Sequence, residues 1–90
     1  MSFKYTPQTL KKIESLLEEM GYITRYEKGN FNSGYCILED RKIAVVNKFL
    51  TVESRINVLL EIVPTIKVDT ETLSTEGKLF YKELMKTPIA

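Results

Sequence analysis

Residues 22–47 have the sequence YITRYEKGNFNSGYCILEDRKIAVVN, and this stretch decides the fold. Three segments rich in aromatic, β-branched and apolar residues predict β-strands. The predicted strands are residues 22–28, 35–39 and 43–47. Because the turn-forming connections at 29–34 and 40–41 are short, we expect an antiparallel meander. The unbroken apolar run at 43–46 indicates a strand that is buried on both faces and lies centrally.

Apolar residues at helical spacing predict one helix before this stretch and two after it. The first covers residues 7–20, between the N-cap Thr6 and the terminating Gly21. The second lies between its N-cap Thr51 and Pro64, and the third covers about 75–86, after Ser74. The sequence therefore predicts one α+β domain over residues 1–90, of order α-β-β-β-α-α. We expect a three-stranded antiparallel β-meander with the helices packed on one face.

The composition is typical of a soluble globular domain, with 43% hydrophobic and 28% charged residues and a net charge of +1. This balance gives neither the basic stripe of a nucleic-acid binder nor a polybasic membrane segment. The first ten residues lack the apolar region of a signal peptide, and no apolar run is long enough to span a bilayer. We therefore expect a cytoplasmic protein that binds neither nucleic acid nor membranes.

Several kinds of chemistry lack their residues in this sequence. The chain has no histidine and one cysteine, Cys36. This excludes an internal disulfide, a Cys-His or Ser-His pair and a four-ligand structural zinc site. No phosphate-binding glycine motif occurs, and Glu18 and Glu19 are interpreted as a solvated helix face. The sequence thus predicts no cofactor, no metal site and no catalytic residue.

Two local features allow functional as well as structural interpretations. Cys36 shares a strand face with Leu38, so we expect a buried thiol, whereas a reactive thiol would need Arg25, Lys28 or Arg41 beside it. Aromatic residues surround the first predicted hairpin and can serve core packing, a protein contact or stacking on nucleic-acid bases. These aromatic residues are Tyr22, Tyr26, Phe31 and Tyr35.

The stretch from Tyr26 to Leu60 resembles a family of short uncharacterised bacterial proteins. Its pattern is a glycine-containing hairpin with a cysteine, an apolar strand that ends in asparagine, and an arginine-containing helix. Here those elements are GNFNSGYC, IAVVN and the helix that contains Arg55. This resemblance implies a bacterial origin and no particular activity.

The element order and the segment VVNK…ESRINVLLEIVP are also similar to zinc-peptidase domains of the ImmA/IrrE type. In such domains the corresponding helix carries the metal-binding motif H-E-x-x-H. The likeness places Glu61 at the general base and Leu60 and Pro64 at the two zinc ligands. Because neither side chain offers a ligand atom, the resemblance implies a scaffold without the metal centre.

Three hypotheses follow for function, of which the third, a nucleic-acid module, is disfavoured by the net charge of +1. The first is a non-catalytic module that binds another protein or a second copy of itself as a homodimer. The alternative is a small-ligand binder or enzyme that uses Cys36 and neighbouring basic residues. The candidate contact residues are Arg25, Tyr26, Lys28, Tyr35, Cys36, Lys48 and Arg55.

Overall fold

The computed structural model describes residues 4–28 and 34–86. These residues form an α+β domain with three α-helices and a three-stranded sheet, in the predicted order along the chain. The elements are α1 (Pro7–Glu19), β1 (Ile23–Glu27), β2 (Tyr35–Leu38), β3 (Ile43–Asn47), α2 (Val52–Ile62) and α3 (Thr75–Lys86). Two short 3-10 turns, Val63–Thr65 and Thr70–Thr72, connect α2 to α3. Residues 29–33 of the predicted loop 29–34, including Phe31, lie outside the described residues.

Each predicted N-cap accepts a hydrogen bond from the first turn of its helix. The hydroxyl oxygens of Thr6, Thr51 and Ser74 accept from backbone N–H groups three residues later, at 3.0–3.3 Å. Gly21 ends α1 with φ of 93°, a conformation that glycine adopts without steric cost. Across residues 4–28 and 34–86, none of the helices has the length and apolar character needed to cross a membrane.

The sheet is mixed, so the predicted antiparallel meander is wrong. The strand order is β1-β3-β2, with β1 parallel to β3 and β2 antiparallel to it. A meander would place β2 at the centre, whereas the apolar run predicts that β3 lies there, and both cannot hold. The structure places β3 centrally because Ala44, Val45 and Val46 are then covered by neighbours on both sides.

The helices cover one face of the sheet, here called the inner face. It contains Thr24 and Tyr26 from β1, Ala44 and Val46 from β3, and Tyr35 and Ile37 from β2. The main hydrophobic core joins Ala44 and Val46 to buried residues of all three helices, such as Ile13, Ile56 and Leu84. The opposite face contributes no residue to this core. This placement agrees with the predicted packing of helices on one face.

Candidate functional site

The uncovered face of the sheet is the first candidate site and is called the outer sheet face. Alternation along the strands gives it three rows of side chains. The outer sheet face comprises Ile23, Arg25, Glu27, Cys36, Leu38, Ile43, Val45 and Asn47. None of these side chains belongs to the hydrophobic core that the described helices share.

One row of the outer sheet face is entirely apolar. Ile43 on the central strand is aligned with Ile23 on β1 and with Leu38 on β2. The exposed fractions are 57% for Ile23 and 39% for Leu38, and Ile43 is half-buried. Side chains in register on adjacent strands touch each other, so this row forms a continuous apolar strip across the sheet.

The middle row contains two of the predicted contact residues but keeps them apart. Val45 is aligned with Arg25 on one side and with Cys36 on the other. Because adjacent strands are about 4.8 Å apart, the backbones of Arg25 and Cys36 are separated by roughly 10 Å. Arg25 instead pairs with Glu27 on its own strand, at 3.2 Å.

Cys36 is half-buried, rather than buried as the strand pattern predicted. The physical reason is the face on which it lies: the Cys36 side chain points away from the described helices and is not part of the core that they share. The residue is therefore partly accessible, and no basic side chain is aligned next to it in the register.

A second cluster lies on the inner face, where Tyr26 meets α1 and α2. The Tyr26 hydroxyl donates a hydrogen bond to Glu14 Oε2. The guanidinium carbon of Arg55 lies 4.5 Å from the centroid of the Tyr26 ring, a cation–π geometry. The Tyr26 hydroxyl thus connects β1 to α1, and the Tyr26 ring connects β1 to α2.

Arg55 also holds the connection between β3 and α2. Its Nε donates to the carbonyl oxygen of Leu50 at 3.1 Å, and its Nη2 donates to that of Lys48 at 2.6 Å. The Lys48 ammonium lies 5.4 Å from the ring centroid of Phe49. These bonds orient the turn that leads into α2, so the contacts of Arg55 are structural.

Tyr26 does not act as a proton acceptor in this environment. Burial, followed by the hydrogen bond to Glu14 and the charge of that carboxylate, raises the pKa of Tyr26 above its usual range. The charge of Arg55 acts in the opposite direction but is the smallest of these effects. The phenol therefore stays neutral and remains a hydrogen-bond donor at physiological pH.

The predicted contact residues therefore divide between two sides of the sheet. Arg25 and Cys36 lie on the outer sheet face, and Tyr26 and Tyr35 on the inner face. Lys28 is exposed just after β1, and the described residues contain no β1–β2 hairpin that would bring it to Cys36. The three described aromatic residues of the predicted cluster, Tyr22, Tyr26 and Tyr35, all pack against the core.

Two carboxylates have roles that the sequence reasoning missed. Glu14 accepts from Tyr26, and Glu19 accepts from the Ser74 N–H at 2.6 Å and from the Ser74 hydroxyl at 3.1 Å. Glu19 thus binds the beginning of α3 to the end of α1, instead of facing only solvent. The sequence feature that pointed to this contact was Gly77, a glycine inside α3. A Cβ at this position would lie 2.6 Å from Glu19 Oε1.

The segment similar to the zinc-peptidase helix spans a helix end. Leu60 is buried, Glu61 is exposed, and Pro64 lies in the 3-10 turn after α2. Within residues 4–28 and 34–86, no group of three or more acidic, cysteine or histidine residues has the arrangement of a metal site. Shared ancestry with those domains stays a prediction.

A groove between α1 and α3 is a further concavity, of about 600 Å³. Its α1 wall carries Lys11 and Lys12, and its α3 wall carries Glu76 and the exposed Leu79. Because Glu19 also lines the α1 wall, the groove carries charges of both signs and does not favour one charge type of ligand.

Comparisons of the chain with protein-family models, with curated proteins and with solved structures found no match.

Proposed function

We propose that this protein is a non-catalytic interaction module that contacts its partner through the outer sheet face. The observation that carries the proposal is the apolar row Ile23–Ile43–Leu38, which no described helix covers. Burying such a row against a partner removes apolar surface from water, which is the main driving force of protein association.

Charged side chains beside the apolar row support the same function. Arg25 and Glu27 lie on the same face and are both exposed. An interface with an apolar centre and a polar rim has this composition. The charges of the rim favour a partner surface with complementary charges and an apolar centre.

The alternative, a ligand binder or enzyme that uses Cys36, has less support. It requires a cation near the thiol, whereas Val45 separates Cys36 from Arg25 in the register. Lys48 and Arg55 lie elsewhere, between β3 and α2. There the Arg55 guanidinium donates to the Lys48 carbonyl oxygen, and the Lys48 ammonium lies over the Phe49 ring. Thiol labelling tests it: labelling of Cys36 that is faster in the native than in the unfolded protein would favour this alternative.

Substitution of Ile23 tests the proposed surface. Ile23→Lys places a charge in the most exposed position of the apolar row, and we expect partner binding to weaken at least ~10-fold. Leu79→Lys is the matched control, because Leu79 is similarly exposed but lies on α3. The measurement is quantitative capture of partners from cell extract by the wild-type and variant proteins, with the captured proteins identified by mass spectrometry.

The comparison of the two variants decides the outcome. Proteins that bind wild type and Leu79→Lys but not Ile23→Lys would be partners of the outer sheet face. Equal binding by all three proteins, or a loss confined to Leu79→Lys, would contradict the proposed surface.

A further inference from the structure

The two edges of the sheet differ in how well they resist pairing with another strand. Among residues 4–28 and 34–86, no further strand pairs with the free edge of β1 or of β2. β1 carries Arg25 and Glu27, and charged side chains on an edge strand discourage strand addition. β2 has the sequence Tyr35-Cys36-Ile37-Leu38, without a charge or a proline. The unprotected edge is therefore that of β2.

The hydrogen bonds of the hairpin identify which peptide groups of β2 face outward. The Asn47 N–H donates to the carbonyl oxygen of Gly34 at 2.9 Å, so these two residues form a hydrogen-bonded pair. Such pairs alternate along an antiparallel ladder, so Cys36 and Leu38 also direct their peptide groups toward β3. Tyr35 and Ile37 consequently direct theirs toward the free edge.

This pattern is complementary to itself. A two-fold axis perpendicular to the sheet can relate two antiparallel copies of β2, and this symmetry keeps the inner faces of both copies on the same side. With the axis at Cys36, Tyr35 of each copy lies opposite Ile37 of the other. Each such pair exchanges two N–H···O=C bonds, so four bonds satisfy every outward group of Tyr35 and Ile37.

We propose that the free edge of β2 pairs with the β2 edge of a second copy of this chain, with the two Cys36 residues facing each other at the two-fold axis. The inference rests on the proposed function as an interaction module and specifies one partner. The product is a continuous six-stranded sheet of order β1-β3-β2-β2-β3-β1. Its outer side joins the outer sheet faces of both copies into a single surface.

The side chains of β2 fit this register. Tyr35 and Ile37 lie half-buried at the margin of the core, on the inner face. In the dimer each Tyr35 side chain lies across from Ile37 of the second copy, and aromatic with β-branched pairs are favourable across antiparallel strands. No like charges are brought into opposition, because β2 contains none.

The expected association is weak. Strands of four residues bury less area than the roughly 1,200–2,000 Å² of stable interfaces. We therefore expect a dissociation constant on the order of 100 µM, with rapid exchange between monomer and dimer. A weak dimer of this kind can respond to protein concentration or to a third partner that bridges both outer sheet faces.

Substitution at Ile37 tests the edge directly. Ile37→Pro removes an N–H that points to the free edge and bonds to no residue within 4–28 or 34–86, and Ile37→Val keeps this N–H and most of the packing. Sedimentation equilibrium under reducing conditions, up to about 1 mM or ten times the expected dissociation constant, measures the dimer. We expect dimers of equal strength for wild type and Ile37→Val, and at least ~10-fold weaker association for Ile37→Pro. A wild type that stays monomeric throughout this range overturns the proposal.

Disulfide trapping tests the register and does not depend on the folding of the proline variant. Opposite residues of a non-hydrogen-bonded pair have Cα atoms about 4.5 Å apart, within the range that a disulfide spans. Diamide should therefore cross-link wild type through Cys36, itself accepting the two hydrogens that the thiols lose. The variant Cys36→Ser with Leu38→Cys should cross-link at least ~10-fold more slowly. Equal or faster cross-linking of this variant overturns the proposed axis.

Ile23→Lys separates this inference from the proposed function. Ile23 lies on β1, away from the β2 edge, so this variant should dimerise like wild type even where it no longer captures other proteins. If the capture of other proteins depends on Ile23 while the wild-type protein is strictly monomeric, the dimer is overturned and the proposed interaction module is retained. Dimerisation that is lost in Ile23→Lys places the contact on the outer sheet face and overturns the edge pairing.

Discussion

The two faces of the sheet differ although the same strand, β3, contributes to both. Val46 points to the inner face and has no exposed surface, because α1 and α2 pack over that side. Its neighbour Val45 points to the outer sheet face, is 6% exposed and lies outside the main core. Val46 is thus part of the core that the helices share, whereas Val45 is buried outside it.

This difference separates residues that stabilise the fold from residues that are available for binding. The inner face belongs to the core to which all three helices contribute, and the hydroxyl group of Tyr26 on this face has a partner. The outer sheet face is apolar at one end and charged at the other, with Ile23 and Leu38 exposed. Substitutions on the two faces should therefore have different consequences, and the following predictions test this contrast.

The largest difference is expected between two identical residues on opposite faces. Val46→Ala should lower the free energy of unfolding by about 2–3 kcal/mol, from lost burial and from the cavity left under the helices. Val45→Ala should cost only about 1 kcal/mol, because solvent and neighbouring side chains can fill the space. Urea denaturation of both variants measures the difference. Equal costs would show that the two faces are equally closed.

The next largest effect on the free energy of unfolding is expected at Tyr26 on the inner face. Tyr26→Phe removes the hydrogen bond to Glu14 and should cost about 1–2 kcal/mol of unfolding free energy. Arg25→Ala is the matched control on the outer sheet face and should cost about 0–0.5 kcal/mol, because its ion pair with Glu27 is exposed. Chemical denaturation at neutral pH measures both, and a larger cost for Arg25→Ala would reverse the comparison.

The raised pKa of Tyr26 makes stability depend on pH in the alkaline range. Above pH ~10 the unfolded tyrosine loses its proton while the folded one keeps it, so the unfolded state binds fewer protons and stability falls as pH rises. Tyr26→Phe should flatten this decline relative to wild type. Glu14→Gln keeps an acceptor oxygen but removes the charge, so it should flatten the decline partly. Identical alkaline profiles of all three proteins would contradict the assignment.

A smaller effect tests how α3 is attached to the covered side. Gly77→Ala should destabilise the protein by about 0.5–1 kcal/mol, because the new Cβ displaces the Glu19 carboxylate from Ser74. In a Glu19→Ala background the same change should stabilise by about 0.5–1 kcal/mol, because alanine is the better helix former. Thermal unfolding of the four proteins gives the coupling. The same sign in both backgrounds would contradict the proposed role of Glu19.

The smallest effect on stability is expected at the exposed row of the outer sheet face. Ile23→Lys should change the unfolding free energy by no more than about 0.5 kcal/mol, because the side chain is already 57% exposed. This separates it from Val46→Ala on the inner face. A loss above about 2 kcal/mol would mean that Ile23 belongs to the core and would remove it from the proposed binding surface.

Much of the secondary structure could be predicted because it depends on nearby residues. The caps Thr6, Thr51 and Ser74 act over three residues, and Gly21 ends α1 through its own backbone conformation. The strands were found within one or two residues of their ends. Their pairing was not, because short connections favour a meander locally, whereas burial of the most apolar strand is decided by the whole sheet.

The candidate site was harder to predict for the same reason. Alternation along a strand requires Arg25 and Tyr26 to lie on opposite faces, and they do. Which face the helices cover, and hence whether Cys36 is fully or half-buried, depends on residues far away in the chain. The roles of Glu14 and Glu19 depend on Tyr26 and Ser74, which are 12 and 55 residues away in sequence.

The sequence by itself determined the α+β class, the order of the elements and the ends of the helices. It also determined which reactions lack their residues, because the chain has no histidine and one cysteine. Only the tertiary structure decided the parallel pairing of β1 with β3, the uncovered outer sheet face and the free edge of β2. The physical reason is the separation in sequence of the residues that interact. Helix caps and the apolar faces of helices depend on residues a few positions apart. The strand order and the choice of the sheet face that helices cover depend on which apolar surfaces, distant in sequence, are buried together.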